Sequence, residues 1–141
     1  VRTKKYWRGN PLPGQYRANM KGQLAYYSNK LEFETDSWDL KTALEKGERI
    51  VVIDARSVES YRREHLPGAI NLPHRTMTAD STRHLDKEIL YVIYCDGVGC
   101  NASTKGALNM CRLGFRVREL IGGIEWWKRD GYQTESSSSA R

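Results

Sequence analysis

Cys95 stands where a protein would hold a thiolate. Tyr91-Val92-Ile93-Tyr94 runs directly into it, and Asp96, Gly97, Val98, Gly99, Cys100 and Asn101 follow before Ala102-Ser103-Thr104. A run of β-branched and aromatic residues predicts a buried strand, the two glycines a tight loop, and the small polar residues a helix start. A thiol at the carboxyl end of such a strand faces loop amides and the positive end of the next helix, both of which favour negative charge. This placement predicts a depressed Cys95 pKa. A fall from about 8.5 to roughly 6.5 favours the thiolate by about 2.7 kcal/mol. The plain alternative is that Cys95 only packs, as free cysteines commonly do. Gly97 and Gly99 argue against it, because they let several amides turn toward one point.

The elements that must position this loop read as alternating strands and helices. Leu31-Glu32-Phe33-Glu34 alternates like a strand. Asp36 then caps a helix over Ser37 to Lys46 that Gly47 stops. Ile50 to Asp54 is a continuous apolar run, the mark of a strand covered on both faces. Val58 to Arg63 reads as a helix, Leu66-Pro67-Gly68 as a turn, Ala69 to Leu72 as a brief strand, and Ser81 to Leu85 as a helical turn. Tyr91 to Cys95 is the central strand. Ser103 to Leu113 follows as a helix, with Ala107, Leu108, Met110 and Cys111 toward its buried side. Val117 to Ile121 is the last strand, and Gly122-Gly123 leads into a helix over Ile124 to Arg129. The alternation predicts an α/β domain with a parallel sheet, whose ligand site lies beyond the carboxyl ends of its strands. Asp54, Asn71, Cys95 and Gly122 gather at that edge.

Composition narrows the function classes. The 141 residues are 39% apolar, with no run long enough to cross a bilayer, so no membrane role is expected. The net charge of +6 is uneven. Arg2, Lys4, Lys5, Arg8, Arg17, Lys21 and Lys30 meet no acid before residue 31, whereas the rest of the chain is nearly neutral. The basic character belongs to the amino-terminal stretch, and a nucleic-acid footprint on the folded domain is not expected. The three cysteines suggest no disulfide framework, which fits a reducing compartment, with the cytoplasm as the expected location. Three segments result: residues 1–22 as a basic, flexible arm, 23–135 as the globular domain, and 136–141 as a serine-rich flexible tail.

Taken together, the motifs resemble the rhodanese-like single-domain sulfurtransferases. The resemblance runs from Leu31 to Tyr132. It rests on Val52-Ile53-Asp54-Ala55-Arg56 with Glu59, His65-Leu66-Pro67-Gly68-Ala69-Ile70-Asn71, Tyr94-Cys95, Leu113-Gly114-Phe115, Gly122-Gly123 and Trp126. It implies a five-stranded parallel sheet of order 1-5-4-2-3 with helices on both faces. It also implies a catalytic Cys95 that takes sulfane sulfur from a donor such as thiosulfate, carries it as a persulfide, and passes it to cyanide, a cellular thiol or a protein acceptor. The loop departs from the family's usual six-residue cradle. It is closer to a subgroup with a Cys-x-Gly-x-Gly-Cys-Asn loop and a matching Pro73-His74-Arg75.

Residue by residue, Asp96, Gly97, Val98, Gly99, Cys100 and Asn101 are the expected substrate-binding loop, with Arg75 and Lys105 as cations for an oxyanion donor. Asp54 and Arg56 are expected as ion pairs behind the site, His65 as a scaffold hydrogen-bonder and His84 at the surface. Trp126 is expected in the core with one edge exposed, and Cys111 in the core. The spacing of Cys95, Cys100 and Cys111 does not suit zinc, and neither a metal nor a cofactor is expected. A phosphatase would need arginine six residues after its cysteine, and position 101 is Asn. The rival of another class is a binding or redox-sensing module that keeps the fold without turnover. Cys100 is either a compact loop residue or a thiol able to resolve an oxidised or persulfidated Cys95.

Overall fold

The computed structural model describes residues 13–137, with side chains from Met20 onward. The chain divides into two compact units, Val1–Glu32 and Phe33–Arg141. Helix α1 spans Pro13–Phe33. Proline at the first helical position is preorganised for the start, and good helix formers such as Ala18, Met20, Gln23, Leu24 and Ala25 follow. The reading of residues 1–22 as an arm therefore changes from Pro13 onward, while residues 1–12 lie outside the described part. Residues 31–33, read as strand, complete the helix instead, because four alternating residues are too few to fix a period. No helix among the described residues is long and apolar enough to cross a membrane.

The second unit is an α/β layer structure. Strands β1 (Glu34–Thr35), β2 (Ile50–Asp54), β3 (Ile70–Asn71), β4 (Leu90–Tyr94) and β5 (Arg116–Leu120) form one sheet of order β1-β5-β4-β2-β3. Every pairing is parallel. Helices α2 (Ser37–Glu45), α3 (Val58–Arg63) and α4 (Ala102–Arg112) lie in the crossovers, and α5 (Gly123–Arg129) follows the last strand. The Asp36 side chain accepts from the Asp39 N–H at 2.8 Å and Ser57 accepts from the Ser60 N–H, fixing the starts of α2 and α3.

Strand alternation sends neighbouring side chains to two cores. Val52 and Val92 join Leu40, Leu66, Leu120 and Trp127 on one face, while Ile53 and Ile93 join Met77, Met110 and Phe115 on the other. Full burial of each such aliphatic side chain stabilises the fold by about 1.5–3 kcal/mol. On α4 the buried stripe is Ser103, Gly106 and Met110. A Cβ at Gly106 would meet Met77, Ile93 and Ala55 within 3.1–3.4 Å, so the absence of a side chain lets the helix lie close on the sheet.

That stripe corrects two expectations, since Leu108 and Cys111 fall outside it and are exposed. On α5 the stripe is Gly123, Ile124 and Trp127. Trp127 is therefore the core tryptophan, and Trp126 is turned outward with Arg129 over its ring. The short helical piece of the central linker is the 3-10 turn His74–Thr76, whereas residues 81–85 form hydrogen-bonded turns only. At the carboxyl end, the Ser137 N–H and the Ser136 hydroxyl both donate to the Arg62 carbonyl, at 3.0 and 3.1 Å. The start of the expected tail thus lies on α3, and residues 138–141 are outside the described part.

Candidate active site

β2 and β4 are paired in register, with Asp54 opposite Tyr94, so both chains leave the sheet at one level. From β2, Asp54 is fully buried and binds Arg56 through Oδ2 at 2.7 Å. The same guanidinium donates to the Glu64 carbonyl at 2.6 Å and to Asp96 Oδ1 at 3.1 Å. The Tyr94 hydroxyl donates to Asp54 at 2.7 Å and accepts the Leu66 N–H at 3.1 Å. Burial would ease the proton off Arg56, but the bonds to Asp54 outweigh it and hold the guanidinium above its ordinary range. Burial, reinforced by Asp54, pushes the Tyr94 phenol up as well. His65, also buried, places Nδ1 2.7 Å from the Tyr61 carbonyl and stacks on that ring. These residues make a satisfied scaffold behind the site, with Arg56 reaching forward to the loop.

From β4, Cys95 enters the loop with its side chain 1% exposed. Its backbone is pinned from α5: the Ile124 N–H donates to the Cys95 carbonyl at 3.0 Å and the Glu125 N–H to the Asp96 carbonyl at 2.9 Å. Gly123 permits this approach. It sits at φ +56°, and a Cβ there would lie 2.2 Å from the Cys95 carbonyl oxygen. Only glycine accommodates both.

The sulfur of Cys95 lies 3.1 Å from Ser103 Oγ and 3.5 Å from the Cys100 carbonyl, and it also receives the Ser103 backbone N–H. Ser103 is the residue that sequence reasoning missed as part of the site. Its signal was a small hydroxyl in the first turn of the helix that the loop enters. The Cys95 and Cys100 thiols are close enough for each to shift the pKa of the other. The Asp96 and Ala102 backbone N–H groups turn to Cys100 rather than to Cys95.

This division of donors corrects the expected electrostatics. Burial pushes the Cys95 thiol above its ordinary value, with the Ser103 bond opposing and the Cys100 contact adding to it. At Cys100, burial also acts upward, but the Cys95 bond and the two amides outweigh it and hold the thiol below the ordinary value. The depressed cysteine of this loop is thus Cys100.

A cleft of about 340 Å³ opens in front of the loop. Cys100, Asp96, Arg56, His74, Arg75 and Ser57 are among its lining, and Cys95 lies one layer beneath. Arg75 is free of ion pairs among the described residues. With Lys105 it holds the His74 imidazole below its ordinary pKa, after burial as the larger cause. Lys105 is exposed on α4 outside the lining. Gly97 faces the Glu125 side chain, Val98 is 77% exposed, Gly99 has open space around it, and Asn101 precedes α4 without a side-chain cap bond. Cys111 stands apart at the far end of α4. Among the described residues no group of His, Cys, Asp and Glu is arranged to hold a metal ion.

The comparisons agree with this architecture. The rhodanese-like domain model matches residues 38–130. The thiosulfate sulfurtransferase GlpE of Coxiella burnetii is 34% identical over 95 residues, covering 66% of this chain and 81% of that one. The solved structure of the BH2092 protein from Bacillus halodurans superposes with a TM-score of 0.78 at 42% identity, covering 83% of this chain and 86% of that one. The rhodanese-like domain of the Anabaena protein Alr3790 gives 0.67 at 28% identity, covering 77% and 83%. The chain belongs to the rhodanese-like domain family, alongside a thiosulfate sulfurtransferase.

Proposed function

We propose that the chain is a sulfurtransferase that moves sulfane sulfur through a Cys95 persulfide. The observation that carries this reading is a thiol at the carboxyl end of the central strand, pinned by α5 and bonded to Ser103 at the start of α4, behind a cleft that presents Arg75. The Cys95 thiolate attacks the outer sulfur of thiosulfate, the sulfur–sulfur bond breaks, and sulfite leaves with the bonding pair. Cyanide or a thiol then attacks the outer sulfur of the persulfide and returns Cys95 as thiolate.

The donor is an anion, and Arg75, with Lys105 further out, supplies the attracting charge. Because Cys95 lies beneath Cys100, the Gly97–Cys100 segment moves aside to admit it. Its two glycines and the exposed Val98 leave it free to do so.

The test is thiosulfate-to-cyanide turnover, followed as thiocyanate, in wild type and Cys95→Ser. Turnover in wild type and its loss of at least about a thousandfold in the variant, with the fold kept, supports the reading. Wild type without turnover or sulfur uptake from several donors would return the chain to a binding module. Cys95-dependent release of phosphate from an aryl phosphate would make it a phosphatase instead.

A further inference from the structure

Cys100 is not explained by single-cysteine sulfur transfer. It is a second thiol on the same loop, its carbonyl lies 3.5 Å from Cys95 Sγ, and it rather than Cys95 lines the cleft. The Asp96 and Ala102 backbone amides act on it. A compact filler would need none of these features. The loop around it is built to change shape: Gly97 and Gly99 flank Val98, and Gly99 has open space where a side chain would stand. The Cys100 N–H donates to the Gly97 carbonyl across that turn, at 3.1 Å. To form a bond, the two sulfurs must close to about 2.05 Å, and Cys100 already meets Cys95 Sγ through its carbonyl across a short glycine turn. Cys111 cannot compete, since it lies roughly 13 Å along α4 from the helix start.

We propose that Cys100 is a resolving thiol that attacks the Cys95 persulfide at its inner sulfur, releases hydrogen sulfide and leaves a Cys95–Cys100 disulfide. The inference rests on the persulfide reading above. Cys100 lies against Cys95 Sγ, its carbonyl 3.5 Å away, and that atom becomes the inner sulfur of the persulfide. As the new bond forms there, the bond from Cys95 Sγ to the outer sulfur breaks. The outer sulfur departs with the electron pair and takes up the protons as hydrogen sulfide. It is reduced from the sulfane to the sulfide level, and the two cysteines supply both electrons by becoming a disulfide. A dithiol in solution restores the pair. The lowered pKa of Cys100 favours the attacking thiolate. An external acceptor, in contrast, takes the outer sulfur, so the loop chooses between passing sulfane sulfur on and releasing it as sulfide.

The experiment is one turnover without reductant. One equivalent of thiosulfate is added to the reduced chain, and sulfite, sulfide and the intact mass are measured. Wild type is expected to yield one sulfite and one sulfide per chain and to end two hydrogens lighter. Cys100→Ser and Cys100→Ala are expected to yield sulfite but no sulfide and to end one sulfur heavier. A wild type that keeps the added sulfur and releases no sulfide overturns the proposal. If wild type and both variants release no sulfite, the persulfide reading fails instead. One equivalent of hydrogen peroxide then tests the resolving role alone, because Cys100 would displace water from a Cys95 sulfenic acid. The expected product is a wild type two hydrogens lighter and restored by dithiothreitol, with variants that gain oxygen. A wild type that gains oxygen as they do overturns the proposal.

Discussion

The chain leaves the sheet twice at the same level, after Asp54 in β2 and after Tyr94 in β4, and the two exits are built in opposite ways. After Asp54 the buried charges are paired. The carboxylate meets Arg56 and Tyr94, the guanidinium also reaches the Glu64 carbonyl and Asp96, and the Asn71 amide donates to the Asp54 and Arg56 carbonyls at 3.1 and 3.0 Å. After Tyr94 come glycines, an exposed valine and two thiols, with Cys95 Sγ 3.5 Å from the Cys100 carbonyl. The first exit is rigid because its polar groups would be costly to leave unpaired in the interior. In the proposed reactions the second moves and gains or loses a bond to sulfur. Reactivity here depends on a fixed neighbour: Arg56 belongs to the scaffold yet holds Asp96 at the root of the loop.

Breaking the rigid exit should have the largest effect on stability. Asp54→Ala leaves the Arg56 guanidinium buried without its main counter-charge. Removing one partner of such a pair costs about 3–5 kcal/mol. The melting temperature, read by calorimetry or circular dichroism, should fall on the order of 10 °C. A change of only a degree or two would show that the network is not the support described here.

The reactive exit is sharpened by a smaller effect, the pH dependence of sulfur uptake. In the proposed reaction Cys95 attacks as thiolate, and because its pKa is raised the rate of sulfite release should climb as pH rises through that raised value. The Ser103 bond opposes the rise, so Ser103→Ala should move the climbing limb to higher pH. The Cys100 bond and charge add to the rise, so Cys100→Ser should move it to lower pH. At neutral pH the first variant is then slower and the second faster in this half-reaction, each by a few-fold. Stopped-flow measurement of sulfite across the alkaline range checks both. Shifts in the same direction would contradict the assigned roles.

The same contrast explains what could be read before the fold was known. β2 and β4 are continuous apolar runs bounded by polar turns, and α2 and α3 carry their caps at Asp36 and Ser57, so local chemistry sufficed for them. The order of the sheet followed from the family resemblance. The placement of Cys95 at a strand end before a helix was legible for the same local reasons. The sharing of amides between Cys95 and Cys100 was not, because it depends on how the glycine turn folds Cys100 back over its neighbour. Nor was the outward turn of Cys111 and Trp126: one residue along a helix rotates a side chain by about 100°, enough to exchange core for surface. Helix α1 was missed because glycines and prolines near its start look like punctuation, although Pro13 occupies a position where proline favours the helix.

The central claim is that the transferred sulfur is carried on Cys95. Its most direct test uses Cys100→Ser, in which no second loop thiol can remove the sulfur, and thiosulfate labelled in its outer atom. After one equivalent, proteolysis without reductant and mass spectrometry of the peptides should find the label on Cys95. Label on Cys111, or none on the variant while the wild type carries it on Cys100, would contradict the account.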